Sequence, residues 1–141
     1  MTLSRDDVYE LVKDVKAMQP EDLESEFRFE NISGHEYSPF NSMFLLMQGA
    51  IEYYPEAVAD SAHHPVVAGG KNQWHSLGRQ IKDEEWEKCF YIWVPSMKRK
   101  QAVERLRRAR VSEEKKKDLV KRHRFYLCQV WLRPQTEEVP S

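Results

Sequence analysis

Thirteen lysines and arginines stand against four acidic residues between Lys98 and Arg124, a local formal charge of +9. Lys98, Arg99, Arg105, Arg107, Arg108, Arg110, Lys115, Lys116, Lys117, Lys121, Arg122 and Arg124 belong to this run. Side chains of this kind neutralise phosphates and release counterions, so the chemistry they suit is salt-dependent nucleic-acid binding. Tyr91, Trp93, Phe125, Tyr126 and Trp131 flank the run and offer rings on which bases can stack. The plainer alternative is a solvated charged helical hairpin beside core aromatics.

Other chemistries find less support in the residues. His63, His64, His75 and Cys89 are ligand types that zinc uses, but no pair has helical or knuckle spacing. His35-Glu36 begins like a zinc-protease motif, yet Pro39 follows and no second histidine completes it. Cys89 and Cys128 each fall within an apolar stretch, where a thiol is buried and inert. Two cysteines do not make a disulfide framework. There is no glycine-rich phosphate loop and no nucleophile elbow, and Glu84-Glu85 reads as a solvated charged turn. The expectation is a protein without catalytic activity, metal or cofactor.

The elements that must position the basic and aromatic groups centre on Ser38-Pro39-Phe40-Asn41-Ser42-Met43-Phe44-Leu45-Leu46-Met47-Gln48. Ser38 caps a helix, Pro39 suits its first turn, and the run behind them is apolar nearly all round, as in a buried helix. Asn41 and Gln48 lie seven residues apart on one face, and a buried amide without partners costs about 1–3 kcal/mol. This helix is expected to reach about Tyr53 before Pro55 stops it. Upstream, Ser4 and Asp7 open a helix with Val8, Leu11, Val12, Val15 and Met18 at helical spacing. A second helical pattern starts at Pro20 with Leu23, Phe27 and Phe29. Downstream, residues 56–65 read as irregular, residues 65–68 as a short strand, and Asn72 as the cap of a turn containing Trp74 and Leu77.

The stretch from Cys89 to Pro95 is β-branched and aromatic without polar alternation, which predicts a central two-sided strand. Residues 98–122 are helical by propensity. Residues 125–132 form a returning strand, expected to pair antiparallel with the first while the basic arm crosses between them. The tail from Thr136 is polar and expected to fray. The fold class is therefore α+β: a small antiparallel sheet on a central buried helix and amphipathic N-terminal helices, with a basic helical arm between two strands.

At 141 residues, 40% hydrophobic and 32% charged, the chain fits one soluble domain with a sizeable core. Outside the basic run it holds nine basic and nineteen acidic residues, so the formal net charge of −1 conceals a segregation of +9 and −10. No stretch approaches a membrane span and the N-terminus is polar, which points to the cytoplasm.

Several pieces taken together resemble the ArdC-like N-terminal domain of antirestriction proteins. They are Ser38-Pro39-Phe40-Asn41 with Gln48, Val67-Ala68-Gly69, Trp74 with Gly78-Arg79 and Ile81-Lys82, and a strand ending in Pro95. The ending, Phe125 with Val130-Trp131 and Gln135-Thr136-Glu137, resembles the family's closing strand and turn. The likeness covers about residues 37–137, leaving 1–36 as N-terminal helices and 98–124 as the basic arm of a single domain, 1–141. It departs from the family at Asp83-Glu84-Glu85-Trp86, at the length of the arm, and at Trp131 and Arg133.

What the resemblance implies is a compact α+β unit that binds single-stranded DNA, as plasmid and phage members do when they protect incoming DNA from restriction. Arg79 and Lys82 would face phosphate. Asn41, Gln48, Trp74, Gly78, Gln135 and Thr136 would be structural, with Gly78 at positive φ and Trp74 in the core. The binding set is then Arg79, Lys82, Tyr91, Trp93, Lys98, Arg99, Arg105, Arg108, Lys116, Arg122 and Arg124, with RNA or duplex DNA as further ligands. The rival from another class is a phage or mobile-element interaction module that binds and inhibits a host defence protein. Its acidic N-terminal half (Asp6, Asp7, Glu10, Asp14, Glu21, Asp22, Glu24, Glu26) would mimic DNA.

Overall fold

Ser4 starts the first helix as its sequence requires. Its hydroxyl accepts from the Asp7 amide while the Asp7 carboxylate accepts from the Ser4 amide, both at 3.2 Å. Helix α1 (Arg5–Lys16) then buries Val8, Val12 and Val15 along one face and packs against α2 (Pro39–Met47). The computed structural model describes residues 3–95 and 125–140. The remaining described elements are helices α3 (Ala50–Tyr53), α4 (Pro55–Ala59) and α5 (Lys71–Ser76). The strands are β1 (Phe29–Glu30), β2 (Val66–Gly69), β3 (Arg79–Ile81), β4 (Phe90–Pro95), β5 (Phe125–Leu132) and β6 (Thr136–Glu138).

The fold is α+β, with a four-stranded sheet in the order β1-β2-β5-β4 and a two-stranded ribbon of β3 and β6. Two compact units divide the chain: Met1–Ile92 with Gln129–Ser141, and Trp93–Cys128. The 98–124 arm, and with it Lys98, Arg99, Arg105, Arg108, Lys116, Arg122 and Arg124, lies outside the described residues.

The sheet is mixed where the sequence suggested an antiparallel one. β1 runs parallel to β2, Phe29 beside Val66 and Glu30 beside Val67, because α2, α3 and α4 form a crossover between them. β2 and β5 are antiparallel, with Ala68 opposite Leu132 and Gly69 opposite Trp131. The expected second helix is only a 3₁₀ turn at Pro20–Leu23. One turn cannot offset the cost of helix nucleation, and Phe29, buried at 1% exposure, gains more from its strand position.

The central helix also ends sooner than expected. It stops at Met47, and Gly49 turns the chain with φ 102° before α3 begins. The cause is Gln48. Its side-chain nitrogen donates to the Phe44 and Tyr91 carbonyls at 3.1 and 2.8 Å, and its oxygen accepts the Tyr91 amide at 2.8 Å. Both backbone groups of Tyr91 are thus turned to Gln48 and away from the ladder. β4 lies at the edge of the sheet among the described residues, not at its centre. Its uniform apolarity reflects partial burial of its faces, which says nothing about position in the hydrogen-bond ladder. Gln48 occupies the exposed edge as one residue of a neighbouring strand would.

Further expectations give way as well. Pro55 starts α4 rather than only ending its predecessor, because proline suits a first helical turn. The 3₁₀ turn Asp60–Ala62 follows, so residues 56–65 are largely ordered. The tail does not fray at Thr136: β6 pairs with β3 through Ile81–Thr136, Gln80–Glu137 and Arg79–Glu138. α5 begins at Lys71 rather than after Asn72, with the Gln73 side chain accepting the Gly70 amide at 2.8 Å. Among the described residues no helix is long and apolar enough to cross a membrane.

Candidate functional site

Trp74 lies almost fully buried with Ile81 and Trp131, and its indole donates to the Trp131 carbonyl at 2.9 Å. That bond ties α5 to β5. Gly78 follows with φ 76°, a conformation most side chains avoid, and turns the chain from α5 into β3. The next residues, Arg79 to Lys82, are thereby laid along β6. The Lys82 amide extends the ribbon by donating to the Gln135 carbonyl at 2.9 Å.

Gln135 fixes the opposite side of this arrangement. It is fully buried; its oxygen accepts the Leu132 amide at 2.7 Å and its nitrogen donates to the Lys88 carbonyl at 2.8 Å. The 3₁₀ turn Arg133–Gln135 is held in place by these two bonds, and Arg133 projects from it, exposed. Thr136 then donates to the Arg133 carbonyl at 2.8 Å. Its hydroxyl accepts the Arg79 Nε at 2.8 Å, and its carbonyl accepts Arg79 Nη2 at 3.1 Å. Arg79 and Thr136 are diagonal neighbours on one face of the ribbon, which is why the guanidinium reaches both acceptors.

An open groove of about 500 Å³ results, lined by Arg79, Lys82 and Arg133 together with Asp60 and His64. Pro65, Val66, Val67 and Pro134 supply apolar wall. A second groove shares Val67, Arg79 and Arg133 and adds Glu138. Among the described residues, none of the three groove cations forms an ion pair with a carboxylate. Three of the nine basic residues outside the 98–124 run meet in one place, on a part of the chain that is otherwise strongly acidic. Such convergence favours an anionic ligand.

The residues expected to bind are thus separated by the fold. Arg79 and Lys82 come together in the groove. Tyr91 and Trp93 lie on β4 and do not line it. Tyr91 gives its backbone to Gln48, and burial, then the nearby Cys89 thiol, raises its phenol pKa. In the second unit, Trp93 stacks on Phe125 with ring centroids 5.7 Å apart and planes 9° from parallel. Of the expected structural set, Asn41 and Gln48 are buried on α2 and just beyond it, whereas Gly78 is exposed; the backbone N–H of Asn41 donates to Ser38 Oγ at 3.2 Å. Cys89 and Cys128 are free cysteines, and burial raises the Cys128 thiol pKa. No three His, Cys, Asp or Glu side chains among the described residues are grouped to hold a metal.

Arg133, Asp60 and His64 were absent from the expected site. Arg133 could be singled out in the sequence only as a basic residue before the Gln135-Thr136 turn. Its meeting with Arg79, far away in the chain, depends on the pairing of β3 with β6. No protein-family model, curated protein or solved structure matches this chain.

Proposed function

We propose that this chain is a non-catalytic nucleic-acid-binding protein whose first ligand is single-stranded DNA, acting in the manner of ArdC-like antirestriction domains in the cytoplasm. The observation that carries the reading is the groove in which Arg79, Lys82 and Arg133 meet without carboxylate partners among the described residues. The composition of residues 98–124 and the resemblance of the Trp74, Gly78-Arg79 and Lys82 pattern to ArdC-like motifs support it. Phosphates seated on the groove and the basic run would give an affinity that falls steeply with salt. Fluorescence anisotropy of labelled single-stranded DNA, duplex DNA and RNA across a salt series tests this. Lys82→Ala should lower the salt slope on single strands by about 0.7. No binding of any of the three at low salt ends the reading.

One observation favours a second reading. Asp6, Asp7, Glu10 and Asp14 on α1, and Glu21, Asp22, Glu24 and Glu26 after it, are all exposed. This acidic surface suits a protein partner that normally binds DNA, such as a host defence component. Capture of a partner from nuclease-treated host lysate, lost when the α1 acids are changed to amides, would support this reading over the first.

A further inference from the structure

The charge and walls of the groove specify more than affinity for nucleic acid. Within this groove Arg79, Lys82 and Arg133 against Asp60 leave a formal +2 when His64 is counted as neutral; Glu138, opposite Arg79 on β6, lines the adjoining groove. An internal phosphodiester carries one negative charge and would leave the groove under-neutralised. A terminal phosphomonoester carries about −1.5 to −2 at neutral pH and presents three acceptor oxygens. The match is to the monoester.

Arg79 is built to receive it. Thr136 takes Nε and one Nη2 hydrogen, which fixes the plane of the guanidinium and leaves three of its five N–H donors. A side chain already held in place loses little conformational freedom when it binds. Lys82, just after β3, and Arg133, in the turn before β6, line the same groove as Arg79, so three separate positions of the fold supply its cations. Pro65, Val66 and Pro134 offer apolar surface for the attached sugar and base, and about 500 Å³ lies within the range of small-ligand sites.

We infer that the groove recognises the phosphorylated end of a nucleic-acid strand, a nucleoside monophosphate unit, in preference to internal backbone. This rests on the nucleic-acid reading above. A free nucleotide carries the same chemistry, so the test separates the two sources. Anisotropy would be measured on the full chain with one internally labelled strand bearing a 5′-hydroxyl, a 5′-phosphate or a 3′-phosphate. Unlabelled nucleoside 5′-monophosphate would serve as competitor.

One phosphorylated end should bind about tenfold more tightly than the hydroxyl-ended strand. The doubly substituted Lys82→Ala, Arg133→Ala chain should bind all strands less well and lose that ratio. A ratio of one in the wild type overturns the inference and leaves the nucleic-acid reading standing, as does a ratio kept in the double variant. Absence of binding by every strand overturns both. Tighter binding of the free monophosphate than of the phosphorylated strand overturns the strand end as ligand.

Discussion

Replacing Gln48 tests how the central helix is joined to the sheet. Gln48→Ala deletes two hydrogen bonds to Tyr91 and one to Phe44. The Phe44 carbonyl keeps the Gln48 amide at 3.1 Å, so the loss falls on the Tyr91 N–H and C=O. Each group costs about 1–3 kcal/mol if left dry, and Tyr91 is half-buried, so water offsets part of this. The expected loss of stability is about 2–4 kcal/mol, read by urea denaturation. Gln80→Ala is the control. Its amide meets Glu137 in an exposed pair, and it should cost under about 0.5 kcal/mol.

Gln48→Glu sharpens the test. When ionised, the introduced carboxylate accepts the Tyr91 amide but cannot donate to the Tyr91 carbonyl. When protonated, it can do both. Burial and that carbonyl favour the protonated form in the fold, which raises the folded pKa above the unfolded carboxyl value of about 4.3. The stabilising contribution is therefore complete below about pH 4.3 and lost as pH rises through the folded value. Relative to wild type, Gln48→Glu should recover stability on acidification. If Gln48→Ala costs no more than Gln80→Ala and Gln48→Glu shows no such recovery, Gln48 does not join helix to sheet.

Two other substitutions probe neighbouring parts of the fold. Gly49→Ala places a side chain at φ 102°, with its Cβ 2.8 Å from the Tyr53 ring. It should cost about 1–2 kcal/mol, and unchanged stability would show that the turn after α2 does not need glycine. The Tyr54 hydroxyl donates to Glu85 at 2.8 Å; burial first, and then that carboxylate, raises its pKa far above the ordinary phenol value. The neutral phenol is favoured by the fold, so its contribution is intact below about pH 10 and lost as pH rises beyond. Tyr54→Phe should flatten the alkaline fall in stability, measured by denaturation from about pH 8 to about pH 11; an unchanged slope refutes the assignment.

Local chemistry made several elements legible in the sequence. The Ser4 capping box, the Ser38-Pro39 helix start, the Val8–Val12–Val15 face and the 125–132 strand each depend on residues within a few positions of one another. Burial of Trp74 and the positive φ of Gly78 followed from the motif that contains them. The failures share a cause as well. Phe29 continued a helical pattern, but its partner, Val66, is remote in the chain. The run beyond Met47 contained the break in Gly49, which takes the left-handed turn, while the Tyr91 backbone that holds Gln48 at that point is remote in the chain.

The sequence by itself determined the α+β class, the helix starts, and the segregation of charge into a basic run and an acidic remainder. These follow from side-chain type and short-range spacing. Tertiary structure alone decided the parallel pairing of β1, the edge position of β4 and the groove. Arg79 and Lys82 were visible as cations, but Arg133 joined them only because β6 pairs with β3 and Gln135 anchors the turn between β5 and β6. A charge cluster assembled across such a distance in the chain has no periodicity to reveal it. Its existence depends on which strand lies beside which.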